Sequence, residues 1–133
     1  YRAHPEIAGV GGRLEPPAEY REHPIAQYER SEGRETYGAG DVEVIGGFDC
    51  PAGGTNNMSY RRQVLEEVGG FDEDFPYAAG EDADLKWRIC QRGARLLYLP
   101  MSVTHLQPYT WEAFRQQRRR GIRQGTAGWR SDC

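Results

Sequence analysis

Three carboxylates lie within four residues, at Glu81, Asp82 and Asp84, directly after Gly80 and before an apolar pattern of helical spacing. Carboxylates mostly stay in water, so a cluster at the start of a packed helix needs an explanation. One explanation is a general base aimed into a cleft. The other is helix capping, because acidic residues are favoured beside the unpaired N–H groups of a helix N-terminus. On this run alone capping is favoured, since acidic first turns are common.

Asp82 is the strongest catalytic candidate in this cluster. Helical spacing places it on the same face as Leu85, so its carboxylate is expected at the rim of the buried surface. There it could take a proton from an acceptor hydroxyl. Glu81 points elsewhere and could accept a hydrogen bond from a bound polar group. Asp84 lies four residues before Arg88, a spacing that predicts an ion pair on another face of the helix.

The segment Gly53–Asn57, with the sequence Gly-Gly-Thr-Asn-Asn, is a second candidate. Consecutive glycines let the backbone approach a ligand closely, and asparagine side chains can bind hydroxyls or backbone groups. An ordinary turn explains the same residues equally well. The segment lacks the lysine and the spacing of a P-loop, which argues against phosphate binding there.

His105 and the run Gln116–Gly121 are the remaining candidates. A lone histidine is more often structural than a ligand, and a metal at His105 would need carboxylates from elsewhere. Arginines can clamp a diphosphate through paired hydrogen bonds. The same arginines are equally typical of a solvated helix face or of contact with anionic lipid head groups.

An alternation of strands and helices must position these residues. Hydrophobic patterns, glycines and prolines predict strands at Ile7–Leu14, Asp41–Phe48, Met58–Tyr60, Arg95–Leu99 and Ser102–Leu106, the last two separated by Pro100. They predict helices around Pro24–Arg30, from Ser59 or Tyr60 to Gly69-Gly70, over Glu81–Arg92, and after a Thr110 cap with Trp111 and Phe114 facing inward.

Composition narrows the class of protein. The 133 residues are enough for one domain with a modest core. A net charge of -3 argues against nucleic-acid binding. The three cysteines are odd in number and far apart, which fits neither a disulfide framework nor a zinc site and favours reduced thiols in the cytosol. The sequence contains no run typical of a membrane span or a signal peptide.

Five segments occur in one order between residues 53 and 105: Gly-Gly-Thr-Asn-Asn-Met-Ser-Tyr-Arg-Arg, Val-Gly-Gly-Phe-Asp-Glu, Gly-Glu-Asp-Ala-Asp-Leu, Arg-Gly-Ala-Arg-Leu-Leu-Tyr-Leu-Pro and Val-Thr-His. This series resembles the second half of the catalytic domain of family 2 glycosyltransferases, which have the GT-A fold. Pro5–Gly12 looks like the segment after the family's Asp-X-Asp motif, and Phe114–Gly121 looks like its closing helix. The resemblance implies an α/β fold: the C-terminal half of a Rossmann-like GT-A domain, with a small mixed sheet and about three helices.

The resemblance also implies roles for individual residues. Asp82 corresponds to the catalytic base of inverting members, which transfer a sugar from a nucleotide-diphosphate sugar to an acceptor hydroxyl. His105 corresponds to a histidine that helps to hold the divalent metal in some GT-A enzymes. Gln117 and Arg120 match the Gln-X-X-Arg-Trp motif of processive relatives, except that Gly121 stands in place of the tryptophan. The substrate-binding residues are expected to be Glu81, Gly54, Asn56, Asn57, Arg61, Gln117 and Arg120.

The nucleotide-binding half of the family's domain precedes Asp-X-Asp, so residues 1–133 are expected to be a partial domain that is inactive alone. The complete enzyme is expected to use Mn²⁺ or Mg²⁺, a nucleotide-sugar donor and a glycan or lipid-linked acceptor, in cell-wall or polysaccharide biosynthesis. It is expected in the cytoplasm or at the cytoplasmic face of the membrane, with surface contact through Arg115–Arg123. The fragment itself is not expected to hold the metal.

The alternative is a non-catalytic carbohydrate- or protein-binding module derived from this fold. Asp82 distinguishes the two hypotheses, because an enzyme needs it ionised and open to a cleft, whereas a module tolerates it buried or salt-bridged. A partial domain also leaves sheet edges uncovered. We therefore expect a homodimer, a domain swap or mobile loops, with residues 15–40 and 72–80 the most mobile.

Overall fold

The computed structural model describes residues 1–32, 40–76 and 78–125, and the side chains of 1–31, 40–76 and 78–120. In chain order its elements are β1 (Ile7–Glu15), α1 (Pro24–Glu32), β2 (Val44–Gly46), β3 (Met58–Tyr60), α2 (Arg62–Val68), α3 (Glu81–Gln91), β4 (Arg95–Thr104) and α4 (Trp111–Gly125). Short 3-10 turns lie at Ala18–Tyr20 and Thr55–Asn57. None of the helices in these ranges is long and apolar enough to cross a lipid bilayer.

The sheet has the strand order β2-β4-β1-β3. The two central strands, β1 and β4, are parallel, and each edge strand pairs antiparallel with its neighbour. Because β1 contains glycines, side chains of β3 pack directly against the β1 backbone. A Cβ atom at Gly9 would lie 2.6 Å from carbon atoms of both Met58 and Tyr60. The predicted α/β class with a small mixed sheet is therefore confirmed, with four α-helices in the described ranges rather than about three.

β4 runs without interruption through Pro100, so the predicted division into two strands is wrong. Proline cannot donate a ladder hydrogen bond and is tolerated in a strand at a bulge or an edge. Here the register with β1 shifts between the pairs Gly11–Tyr98 and Arg13–Ser102, so Pro100 falls in the irregular stretch. On the other side of β4, the pairing with β2 ends at Tyr98. Neither neighbour requires an N–H from the proline.

The main core lies between the sheet and α3. Leu85 and Ile89 are fully buried and pack with Leu96 and Tyr98 of β4 and with Cys50. This burial confirms the predicted apolar face of α3, which ends at Gln91 before Gly93, a residue with a φ of 79°.

An arginine joins α3 to α2. Arg88 Nε donates to Asp84 Oδ2 at 2.8 Å, which is the predicted i, i+4 pair, and its Nη1 donates to the Val68 carbonyl at 2.8 Å. The latter bond satisfies a carbonyl at the end of α2, beside Gly69 with its φ of 81°. The predicted start of α2 at Ser59 or Tyr60 is wrong, because these residues pair with β1 as β3 and the helix begins at Arg62.

A second, smaller core lies between α1 and α4. Ile25 and Ala26 pack with the buried Tyr109, and Phe114 closes the cluster. Thr110 Oγ1 accepts the N–H of Ala113 at 3.2 Å, which confirms the predicted cap. Trp111 is 57% exposed, so the expectation that it faces inward is wrong.

Part of the expected mobility at 15–40 and 72–80 falls on residues 33–39 and 77, which lie outside the described residues. Within the first of these ranges, Pro24–Glu32 is helical. The second strand is shorter than expected, since pairing with β4 covers only Val44–Gly46 of the predicted Asp41–Phe48.

Candidate functional site

A cleft of about 320 Å³ brings together four of the sequence-predicted site residues: Asn56, His105, Gln117 and Arg120. They come from three separate parts of the chain, namely the turn before β3, the end of β4 and the helix α4. The facing wall is formed by α1 and the segment after His105, and Ala78 contributes from the loop that leads into α3.

His105 holds the end of the sheet next to this cleft. Its backbone N–H donates to the carbonyl of Glu15, the last residue of β1, at 2.8 Å. Its Nε2 lies 3.4 Å from Asn56 Nδ2. The other ring nitrogen, Nδ1, is buried and has no hydrogen-bond partner within the described residues. A buried ring nitrogen of this kind in a cleft wall is a group that a ligand can satisfy.

The described residues do not form a metal site by themselves. Nowhere in ranges 1–32, 40–76 and 78–125 do three or more His, Cys, Asp or Glu side chains come close enough together to hold a metal ion. A metal bound at His105 would therefore need the hard oxygen ligands that Mg²⁺ or Mn²⁺ prefers from other residues.

The arginine-rich run divides between the cleft and the α1 surface. Gln117 and Arg120 are three residues apart on α4, so both side chains reach the cleft from one face of the helix. Arg118 turns the other way: its guanidinium lies 5.0 Å from the ring centre of Tyr28 and 5.7 Å from that of Phe114, and it donates to the Tyr28 hydroxyl. Only part of this basic segment is therefore available to a ligand in the cleft.

The acidic start of α3 is not explained by capping alone. The N-cap residue is Gly80, which has a φ of 88° and no side chain to offer. Asp82 Oδ1 accepts the N–H of Ala83 at 2.8 Å, so one of its oxygens satisfies a free helix N–H group. Glu81 Oε2 is buried and makes no hydrogen bond to any described residue. Both carboxylates are half-buried, and neither is among the residues that line the cleft.

Tyr60 lies near Asp82, and the sequence did not single it out. Its hydroxyl is buried and, within the part of the chain that the structure describes, has no hydrogen-bond partner. Burial raises the pKa of Tyr60, and the nearby Cys90 and Asp82 raise it further. The phenol is therefore neutral and keeps its proton beside the acidic start of α3. The sequence predicted only a short strand here, and the pattern of apolar and polar residues in a strand does not show which distant residues a side chain lies beside.

Asn57 and Arg61 are committed to the backbone. Asn57 Nδ2 donates to the carbonyls of Arg13 at 3.0 Å and Met101 at 3.1 Å, so it bridges β1 and β4 at the register shift. Arg61 donates from Nε to the Ile7 carbonyl at 2.6 Å, and its Nη2 donates to the carbonyls of Tyr1 and His4. Neither side chain lines the cleft. These contacts support the loop and the strands that the other site residues depend on.

Gly54 closes the turn of the same loop. Its carbonyl accepts the N–H of Asn57 at 3.2 Å, in the same turn that carries Asn56. Gly54 itself does not line the cleft. The structure thus brings four of the nine predicted residues into one cleft and places the other five in the surrounding framework and at the adjoining helix start.

Residues 32–125 match the profile described as "Glycosyl transferase family group 2". This range covers more than half of the chain and contains all nine predicted site residues. The chain belongs to this family. Among its relatives in this glycosyltransferase group, the pre-mycofactocin glycosyltransferase of Mycobacterium tuberculosis is 32% identical over 99 residues, which are 74% of this chain and 20% of that protein.

A second relative of this family member is the probable glycosyltransferase YdaM of Bacillus subtilis, which is 34% identical over 68 residues, or 50% of this chain and 16% of that protein. The chain thus spans about a fifth of the length of the curated glycosyltransferases it matches. No solved structure matches it significantly.

Proposed function

We propose that this chain supplies the acceptor half of an inverting glycosyltransferase that uses a nucleotide-diphosphate sugar. The observation that carries the proposal is the single cleft in which Asn56, His105, Gln117 and Arg120 converge. Amide and guanidinium groups suit a ligand rich in hydroxyls, and an arginine can also pair with a phosphate. The residues that line the cleft come from distant parts of the chain, so the fold itself concentrates these groups in one place.

In the proposed reaction, Asp82 acts as the general base. It takes the proton of an acceptor hydroxyl, whose oxygen attacks the anomeric carbon of the sugar. The bond from that carbon to the diphosphate breaks, and the nucleoside diphosphate leaves with the bonding electrons, which inverts the configuration. The buried Oε2 of Glu81, which has no hydrogen-bond partner among the described residues, is suited to accept a hydrogen bond from the acceptor or the sugar. Its position beside Asp82 supports a positioning role.

Asp82 meets one of the two conditions that distinguish an enzyme from a binding module: it has no ion pair within the described residues, but it does not line the cleft. It is half-buried, and no ion pair links it to a cation within the described ranges. The neighbouring Asp84, by contrast, is paired with Arg88 at 2.8 Å. Within the described ranges Asp82 is therefore not neutralised by an ion pair, unlike Asp84.

The remaining parts of the proposed enzyme lie in other residues. We propose that the donor nucleotide and the divalent metal are bound mainly by a nucleotide-binding half, with His105 as one metal ligand from this chain. Residues 1–133 are then a partial domain, and sugar transfer by the chain alone is not expected. The proposed acceptor is a glycan or a lipid-linked acceptor.

We also propose a cytoplasmic location, with contact between α4 and an anionic membrane surface through Arg115–Arg123. Exposed arginines at 115 and 119, beside the exposed indole of Trp111, support this contact. Within the described residues β2 and β3 are the edge strands, and such edges can pair with a second copy of the chain. A homodimer or a domain swap is therefore also proposed.

The test measures sugar transfer by the full-length protein that contains this chain, with Mn²⁺ or Mg²⁺ and a panel of nucleotide sugars. Replacing the general base by the isosteric Asp82→Asn is expected to lower kcat by about 10³-fold. Asp84→Asn is the matched control, since it changes the same charge on the same helix and is expected to keep most of the activity. A folded Asp82→Asn protein with unchanged kcat would refute the assignment of the base. Sugar binding without any turnover by the wild type would favour the binding module.

A further inference from the structure

Lys86 is the only lysine of the chain, and the other sixteen of its 17 lysine and arginine residues are arginines. It lies on α3, one helical turn after Asp82, and is 1% exposed. Lysine is almost never fully buried unless its ammonium has partners, because desolvation of the charge is costly. Such a residue inside the proposed active domain is expected to have a specific role.

The side chain of Lys86 is enclosed by the segment that leads to the Gly53–Asn57 loop. Its Nζ donates to the Cys50 carbonyl at 2.8 Å and lies 5.1 Å from the ring centre of Phe48. Its aliphatic stem lies against Gly53, where a Cβ atom would be 2.7 Å from the lysine Cδ. Gly53 also has a φ of 148°, which residues with side chains rarely adopt. The backbone of the loop therefore packs directly against the aliphatic part of the Lys86 side chain.

These contacts join the two parts of the proposed site. α3 carries Glu81 and Asp82 in its first turn, and the loop carries Asn56, which reaches His105 in the cleft. A long flexible stem with a compact ammonium can cross this core and still meet a carbonyl at its end. Arginine, with a larger planar head, would not fit under Gly53 in the same way.

We propose that Lys86 is a positioning residue that fixes the acidic start of α3 relative to the Gly53–Asn57 loop. The proposal rests on the proposed function, in which Asp82 must face an acceptor hydroxyl held beside the loop. Loss of the ammonium frees the Cys50 carbonyl and lets the loop move away from the helix. A displacement of about 1 Å can cost about 10²-fold in rate, so the effect on transfer is large although Lys86 touches no substrate.

The test uses the full-length protein and three variants. Lys86→Met keeps the stem and removes the ammonium. Gly53→Ala disturbs the same contact from the loop side and serves if Lys86→Met fails to fold. Arg62→Met is the control, because it removes a cation that is 91% exposed on the neighbouring helix. Two readouts are compared: the ratio of sugar transfer to donor hydrolysis, and the deuterium exchange of the backbone amides of residues 50–57.

A loss of folded enzyme lowers transfer and hydrolysis equally, whereas a displaced acceptor lowers transfer more, because water can approach the donor without the loop. Lys86→Met or Gly53→Ala is expected to lower the ratio by about 10-fold or more and to speed exchange at 50–57, with Arg62→Met unchanged. A ratio within about twofold of wild type in folded variants, or unchanged exchange at 50–57, overturns the proposal. A wild type that neither transfers nor hydrolyses overturns the proposed function instead, and exchange then reports separately on whether Lys86 holds the loop.

Discussion

Replacement of Asn57 by alanine tests whether this residue acts on the backbone or on a substrate. Its amide donates to the carbonyls of Arg13 and Met101, which belong to two different strands at the register shift of the sheet. Alanine removes both hydrogen bonds and supplies nothing in their place. At about 1 kcal/mol for each net hydrogen bond, the expected loss of unfolding free energy is about 2 kcal/mol. For a protein of this size, that loss corresponds to a decrease in Tm of about 6–10 °C.

Urea and thermal unfolding of the purified protein, followed by circular dichroism, measure the effect. The neighbouring Asn56→Ala is the matched control, because the exposed Asn56 amide has only a long contact with His105, at 3.4 Å, among the described residues. Its cost is expected to stay below about 0.5 kcal/mol. Asn57→Asp should cost more than Asn57→Ala, about 3 kcal/mol, because it places a charged acceptor against a carbonyl oxygen.

The structural explanation of Asn57 is refuted if Asn57→Ala and Asn56→Ala are equally stable. In that case the two carbonyls do not depend on the amide, and a role of Asn57 at the sugar pocket regains support. A stable Asn57→Ala protein with weakened binding of the sugar donor would point to the same conclusion.

Two further predictions concern stability. Arg61→Met removes three hydrogen bonds to the carbonyls of residues 1–7 and is expected to lower the unfolding free energy by about 3 kcal/mol. The control Arg62→Met, on the exposed face of α2, should lower it by less than about 0.5 kcal/mol. Equal urea midpoints for the two variants would contradict the stabilising role of the Arg61 hydrogen bonds. Burial raises the pKa of Cys50 and of Cys90, so the folded protein keeps both thiols protonated where the unfolded chain ionises them. Their contribution to stability is complete below about pH 8.5 and is lost as the pH rises above it, so the urea midpoint should be flat from pH 6 to about 8 and then decrease. Cys50→Ala should make this decrease shallower, and an equal slope in the variant would exclude Cys50 as the cause.

The site depends on hydrogen bonds that cross from one element to another. The amide of Asn57 links β1 with β4, and the ammonium of Lys86 links α3 with the loop after Cys50. The backbone of His105 links the ends of the two central strands. The cleft is therefore a product of the sheet geometry, and substitutions distant from the ligand can change its shape.

Features set by neighbouring residues could be predicted from the sequence. The start of α3 at Glu81, the Asp84–Arg88 pair and the Thr110 cap were expected from local spacing, and the structure has all three. Helix spacing and capping involve groups within four residues of each other, so their energetics are local. The family resemblance likewise followed from ordered segments, and the family match confirms it.

Features set by contacts between distant residues needed the tertiary structure. Pro100 indicated a strand end, but the bulge opposite β1 lets β4 continue through it. Trp111 matched an inward helical face, yet no element covers it in the described part of the chain, and it stays exposed. The sequence offered Asn56 and Asn57 as equivalent, although only the first lines the cleft. It gave no sign that Lys86 is buried, because burial of a polar group depends on partners brought from elsewhere in the chain, here Cys50 and Phe48.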